Sequence, residues 1–439
     1  MNKIMFISLG CDKNSVDTEF MLGELRDAGY AITDNEEEAD IIVINTCAFI
    51  SDAQEESVET ILEMAEYKKA GTLSKLIVTG CLAQRYGEQI MTEIPEVDAI
   101  VGTSAIDRIV EAIDTSGNFI MDCDRLPLPA ATRVSTTGGY YEYLKIAEGC
   151  DKHCTYCRIP SLRGKYRSIP MERLVEEARF LAEGGTKELI LVAQETTLYG
   201  TDLYGKKCLT ELINRLSEIP GIRWIRLLYC YPEEIDDELI ECIAENPKVC
   251  HYLDMPIQHA SDAILKKMGR RTTESDIRRI IGKIRKRIPD IALRTTLISG
   301  FPGETQEDHD ILLRFIEEEK FTRLGDFTYS KEDSTPAAKM KEQVPKRVKE
   351  KRRKEIMQLQ QRISAEFSMS CIGRELSVII EGKLPEDDIW IGRSYMDAPG
   401  IDGYVFVSSP DTYMSGDIVK VKVVKAEAYD LIAEAVTEQ

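Results

Sequence analysis

Residues 149–157 read Gly-Cys-Asp-Lys-His-Cys-Thr-Tyr-Cys, which puts Cys150, Cys154 and Cys157 at C-x3-C-x2-C within one loop. Three thiolates at that spacing can wrap one metal centre, and three is all the loop offers. A structural zinc site wants four protein ligands, and no fourth Cys or His follows nearby except His153, inside the loop itself. On a 4Fe-4S cube, three thiolates leave one iron with an open position for a substrate or cofactor. The competing reading is a zinc site completed by a remote Cys208 or Cys230. The apolar run Tyr143–Ala147 immediately precedes the loop. The thiols therefore sit beyond the carboxyl end of a strand, where a TIM-like barrel keeps its chemistry.

That strand heads a series. Glu188–Val192, Trp224–Leu228, Tyr252–Met255, Leu293–Ile298 and Leu324–Thr328 follow it, each pair bracketing a helical stretch. The pattern predicts a partial (β/α)6 barrel over residues 136–370. Upstream, Ile4–Leu9, Ile41–Ile44 and Leu76–Val78 alternate with helix-like Asp17–Ala28 and Asp52–Lys69, predicting a doubly wound α/β domain over residues 1–125. Leu126–Gly139, rich in Pro, Thr, Ser and Gly, reads as a linker. Pro345–Ser370 is helical and rich in Lys, Arg and Gln, with a solvated connector as its plainest reading. Beyond Gly373, short strands at Glu375–Ile380, Ile389–Arg393, Gly403–Val407 and Ile418–Val424 predict a small antiparallel β-barrel over residues 371–439, the size of folds that bind nucleic acids or loops of other proteins. The fold class is thus α/β with three domains, in keeping with 439 residues at about 150 each and with 43% apolar content.

Charge narrows the partners. With 56 Lys+Arg against 76 Asp+Glu the net charge is −20, which repels a polyanion, so generic nucleic-acid binding is disfavoured. By segment the balance is −15 over residues 1–135, −3 over 136–340, +5 over 341–370 and −7 over 371–439. The opening MNKIMFISLG lacks the core and cleavage site of a signal peptide, and no stretch reaches the roughly 18 apolar residues of a membrane span. A cytosolic chain with reduced thiols is expected, and clustered cysteines there read as metal ligands or catalytic groups. Three more of the twelve share a station: Cys11 follows FISLG, Cys47 follows IIVINT and Cys81 follows LIVTG. Each lies beyond a parallel strand, on the rim where open α/β sheets bind ligands. A second three-thiolate cluster is the hypothesis, and ordinary small buried residues are the alternative. Cys123, Cys208, Cys230, Cys242, Cys250 and Cys371 show no grouped spacing.

The loop with Tyr156 before its third cysteine resembles the radical S-adenosylmethionine (SAM) superfamily, and both trios with a terminal barrel resemble the methylthiotransferases, whose architecture is an N-terminal methylthiotransferase domain, a radical SAM barrel and a TRAM domain. The resemblance implies a cluster on Cys150, Cys154 and Cys157 whose unique iron chelates SAM, and cleavage of SAM to a 5′-deoxyadenosyl radical. It implies a second 4Fe-4S cluster on Cys11, Cys47 and Cys81 that hands over sulfur, one SAM giving the methyl and another the radical. Insertion into an unactivated C–H bond is beyond general bases of ordinary pKa. Gly392-Arg393-Ser394 through Asp397-Ala398-Pro399 to Ile401-Asp402-Gly403, together with Asp254–Asp262, is similar to the RimO-type branch, which modifies an aspartate β-carbon on protein twelve of the small ribosomal subunit. The tRNA adenosine branch should carry a basic TRAM domain, and this one is acidic. A basic ribosomal protein, free or on the ribosome, is the expected partner, with an electron donor and a sulfur donor. No membrane and no tRNA are expected. A non-catalytic metal-stabilised RNA-binding protein is the rival from another class. For SAM contacts the resemblance points to Tyr156, Gln194, Glu195, Arg294 and Gly300, the last in GFPGET, with a structural ion pair as the alternative for Arg294; Arg163 and Gly164 match an R-G after the loop, and Gln258 and His259 lie at a strand end. No catalytic residue is assigned.

Overall fold

The computed structural model describes residues 2–130, 132–385 and 388–436. Its first body comprises β1 (Lys3–Ser8), α1 (Asp12–Asp27), β2 (Ala31–Ile32), β3 (Ile41–Thr46), α2 (Ser51–Lys69), β4 (Lys75–Gly80), α3 (Cys81–Glu93), β5 (Ala99–Val101), α4 (Ile109–Thr115) and β6 (Gly117–Phe119). All six positions of β3 are buried, as a strand covered on both faces requires. Ile42 and Ile44 pack with Ile61 and Met64 of α2, while Ile41 and Val43 pack with Phe20 and Met21 of α1. The sheet is parallel throughout, in the order β2-β1-β3-β4-β5-β6, so the winding reverses between β1 and β3.

The second body contains β7 (Tyr141–Lys145), β8 (Ala147–Glu148), α5 (Ile159–Arg163), β9 (Arg167–Ser168), α6 (Met171–Glu183), β10 (Glu188–Val192), α7 (Leu209–Ser217), β11 (Trp224–Leu227), α8 (Asp237–Glu245), β12 (Val249–Asp254), α9 (Asp262–Lys267), α10 (Glu274–Arg287), β13 (Ala292–Ser299), α11 (Gln306–Glu319) and β14 (Arg323–Thr328). Six parallel strands run in the order β7-β10-β11-β12-β13-β14, with β7 and β14 as free edges of a partial barrel. Leu189 and Leu191 face the helices, and Ile190 and Val192 face the other way, into a core shared with the third body.

That third body follows α12 (Lys346–Ser370) and closes β15 (Glu375–Lys383), β16 (Ile389–Ser394), β17 (Val405–Ser408), β18 (Ile418–Ala426) and β19 (Leu431–Ala435) into a barrel. Three expectations are corrected here. The barrel has a fifth strand, β19, and β19 pairs parallel with β17, so it is not wholly antiparallel. Nor is α12 a solvated connector: Arg352, Ile356, Gln360, Ile363 and Ser364 bury one stripe of it against the partial barrel. The segment Leu126–Gly139 is also more than a linker, because Arg133 within it is buried against Glu19, Glu142 and Glu177 at 3.1–3.6 Å.

The third body plugs the amino-terminal end of the partial barrel. Glu188, the first residue of β10, accepts from Arg226 at 2.6 Å and from Arg393 at 2.8 Å, and all three are fully buried. Arg323, the first residue of β14, binds Asp397, and Tyr252 donates to Asp402 at 2.7 Å. The GRS–DAP–IDG element is thus the joint between the two bodies. The carboxyl end of the sheet is left free for chemistry.

On the edge strand β14, Asp326 accepts from Ser299 at 2.5 Å through one oxygen and leaves the other buried without a partner. Burial pushes its pKa from 3.8 to about 7. The folded state therefore holds a proton that the unfolded chain releases, and the stability this confers is lost as pH rises from about 4 through 7. Asp326→Asn removes that dependence. Across the same window the variant should gain roughly 3 kcal/mol on the parent, read as the difference between urea midpoints at pH 4.5 and pH 8.

Candidate active site

The reversal of winding opens a crevice at the carboxyl ends of β1 and β3, where doubly wound sheets bind ligands. Cys11, following β1, caps α1; Cys47 follows β3; Cys81 opens α3 after β4. Asn14 stitches these ends together, its fully buried amide donating to Leu9 O and Thr46 O at 3.0 Å each. Ser57 holds Cys47 by accepting from its N–H and donating to its carbonyl, both at 3.0 Å. Gly80 turns the chain into α3 at φ +91°, where a Cβ would lie 2.3 Å from Asn45 Oδ1 and 2.5 Å from Thr46 O. Gly80→Ala is expected to cost at least 2 kcal/mol, roughly, in urea unfolding, and to displace Cys81.

The loop trio lies beyond β7 and β8. Cys150 and Cys154 are buried and Cys157 is half-buried, its sulfur accepting from Ile159 N at 3.4 Å. Burial pushes the thiols of Cys81, Cys150 and Cys157 up to about 12. A ligand metal must displace those protons. Arg163 opposes the shift at Cys81. Among the described residues, only the surface group Asp122, Cys123 and Asp124 brings three ligand atoms within 4.8 Å of one another; neither cysteine trio does, with or without Cys208 or Cys230. Sulfurs around one tetrahedral zinc lie about 3.8 Å apart, given Zn–S of about 2.3 Å.

The two rims face each other across a buried seam. From the barrel side, Arg163 donates to Asn14 Oδ1 at 2.5 Å, Asp17 at 2.7 Å and Glu148 at 3.0 Å. Lys145 binds Asp17 and, at 2.9 Å, Glu148. Burial opposes the charge on Glu148, and the two cations override it, holding its carboxyl below the usual range. Residues 229–231, just past β11, span the seam: Tyr229 meets Lys13 and Asp12 beside Cys11, and Tyr231 lies by Cys150 and Cys154, with Arg270 4.2 Å over its ring.

Of the residues expected to contact SAM, four gather near the loop. Tyr156 packs edge-on to Phe301 at 6.4 Å, and Gly300 begins the turn after β13 at φ +75°. Gly300 and Phe301 both donate to Glu304, at 2.5 and 3.0 Å, which fixes that turn against Tyr156. Gln194 donates to Glu148 at 2.8 Å. Glu195 faces Cys150 with one oxygen bonded to Thr197 and the other buried without a partner, and burial pushes its pKa up to about 7. Arg294 stands apart. It is the third residue of β13, several residues short of the carboxyl end, and pairs with Asp254 at 3.0 Å and Asp402 at 3.5 Å. It belongs to the joint with the terminal barrel. His259 is fully buried, its Nδ1 accepting from Ser261 N at 2.9 Å, so it serves the turn. Sequence reasoning missed Lys13, Tyr229, Tyr231 and Arg270. Of these Lys13 lies two residues after Cys11, and that proximity was the available signal. Arg270 is buried next to Cys154 with two N–H groups unpartnered.

A parallel partial barrel with a three-cysteine loop at its carboxyl rim defines a radical SAM enzyme, here with a second three-cysteine rim set against it. The profile of the radical SAM superfamily matches residues 144–316, that of uncharacterized protein family UPF0004 residues 3–102, and that of the TRAM domain residues 372–436. A protein from Lachnoclostridium phytofermentans, ribosomal protein uS12 methylthiotransferase RimO, is 64% identical over 99% of this chain and 100% of its own length; its namesake from Acetivibrio thermocellus is 50% identical over 99% of each. The chain belongs to the ribosomal protein uS12 methylthiotransferase family. Among solved structures, the radical SAM methyltransferase TsrM from Kitasatospora setae shares the fold with TM-score 0.54 at 14% identity, covering 86% of this chain and 78% of that one. Membership of the superfamily brings SAM and a 4Fe-4S cluster. Among the described residues no helix is long and apolar enough to cross a membrane.

Proposed function

We propose that this chain methylthiolates the β-carbon of an aspartate in ribosomal protein uS12, using SAM and two 4Fe-4S clusters, one on Cys150, Cys154 and Cys157 and the other on Cys11, Cys47 and Cys81. The observation that carries the reading is the pair of three-thiol rims facing each other across the seam of Arg163 and residues 229–231. When bound, these groups supply a carbon radical able to take an unactivated hydrogen, and a sulfur within reach of the carbon left behind. The chain's own part is placement and exclusion. Tyr156 and the Gly300 turn wall the loop, Gln194 and the unpartnered oxygen of Glu195 present acceptors to a SAM ammonium, and Arg270 offers free N–H donors to a carboxylate. The acidic terminal barrel supports a basic protein partner over tRNA. The chain would work in the cytosol, drawing on an electron donor and a sulfur donor, with residues 1–125, 136–370 and 371–439 as its functional divisions. Anaerobically reconstituted protein with dithionite and SAM should form 5′-deoxyadenosine and add a methylthio mass to uS12. A methylthio gain on tRNA with none on uS12 would overturn the substrate, and absence of 5′-deoxyadenosine would overturn the enzyme.

A further inference from the structure

Lys13 stands two residues after Cys11, in the first turn of α1, and is only 6% exposed. Two physical effects oppose a cation there: the positive end of the helix dipole and the loss of water. The fold keeps it nonetheless, and builds around it. Its Nζ lies 3.3 Å from the centre of the Tyr229 ring and 2.9 Å from Asp12 Oδ1. The Tyr229 hydroxyl donates to the same Oδ1 at 3.1 Å, while Asp12 Oδ2 is buried without a partner. Tyr229 takes φ +60°, a left-handed backbone that an aromatic residue rarely adopts. A strained aromatic residue supporting a buried cation, on the segment that joins the two cysteine rims, places a fixed positive charge at the seam between them.

We infer that Lys13 is the specificity-determining residue that takes the carboxylate of the substrate aspartate and so sets its β-carbon between the two trios, an inference that rests on the methylthiotransferase reading above. Asp12 and the Tyr229 ring hold the ammonium in place. An ammonium has donors only. It therefore donates equally well to either oxygen of an aspartate, whereas the isosteric asparagine must turn its NH2 away and brings no charge.

The test compares binding of two fluorescently labelled uS12 peptides, one with the target aspartate and one with asparagine in its place, to the reconstituted holoenzyme. Parent enzyme should prefer aspartate. In Lys13→Met and Lys13→Gln that preference should fall about tenfold or more, with KM for uS12 rising more than kcat falls, while iron content and substrate-free SAM cleavage stay at parent levels. Lys13→Arg, which keeps the charge, should retain part of the preference. If both neutral variants keep the preference, or lose iron and SAM cleavage together with it, the assignment of Lys13 is overturned. A parent enzyme that leaves uS12 unmodified would instead overturn the methylthiotransferase reading, before Lys13 is tested.

Discussion

Replacing Cys11, Cys47 and Cys81 together by alanine is expected to abolish methylthio product on uS12 while 5′-deoxyadenosine still forms at a rate close to the parent's. The two trios sit on different sheets, and the loop trio draws its contacts from Tyr231, Arg270, Glu195 and Ile159, none of which belongs to the N-terminal sheet. Losing the first trio should therefore leave the second intact. Bound iron should fall from about eight to about four per chain, each 4Fe-4S cluster accounting for four. The substitution is also mild for the fold: Cys47 and Cys81 are small buried side chains, and the strand ends around them are held by Asn14, Ser57 and Gly80. Unchanged iron would remove the second cluster. Loss of SAM cleavage along with the product would mean that the two rims are one site.

Spacing is what a linear string carries, and the parts of the site that depend on spacing were legible in it. Cys150, Cys154 and Cys157 lie within one loop, and Cys11, Cys47 and Cys81 each follow a strand of a parallel sheet, whose topology brings every carboxyl end to one rim. Strand polarity was equally available, and it is what separates Gly300, just past β13, from Arg294 near its start. The contacts across the seam were not legible. Nothing local distinguishes Tyr229 from any tyrosine, or shows that Lys13 will sit on its ring. Arg133 looked like linker composition because its partners, Glu19, Glu142 and Glu177, come from three other segments. The strand β19 is short; it forms a hairpin with β18 across residues 427–430, but the pairing that closes the barrel is its non-local parallel one with β17.

Arg163→Met is expected to destabilise the chain by about 3–5 kcal/mol, the cost of leaving buried charge unpaired. In the parent, two cations, Arg163 and Lys145, meet two carboxylates, Asp17 and Glu148, with all four side chains no more than 6% exposed. Removing the guanidinium leaves one buried cation between two anions, and takes a donor from Oδ1 of Asn14, the residue whose amide N–H groups tie the ends of β1 and β3. Lysine at this position would not restore it, since one ammonium cannot present the planar fork that reaches three acceptors. The charge argument makes a sharper demand of the double variant. Arg163→Met with Glu148→Gln restores one cation to one anion, so it should recover a large part of the lost stability, a coupling visible in a double-mutant cycle of urea midpoints. If the second substitution instead adds its own full cost, the seam is held by shape and apolar contact, and the electrostatic account of how the two rims are joined fails.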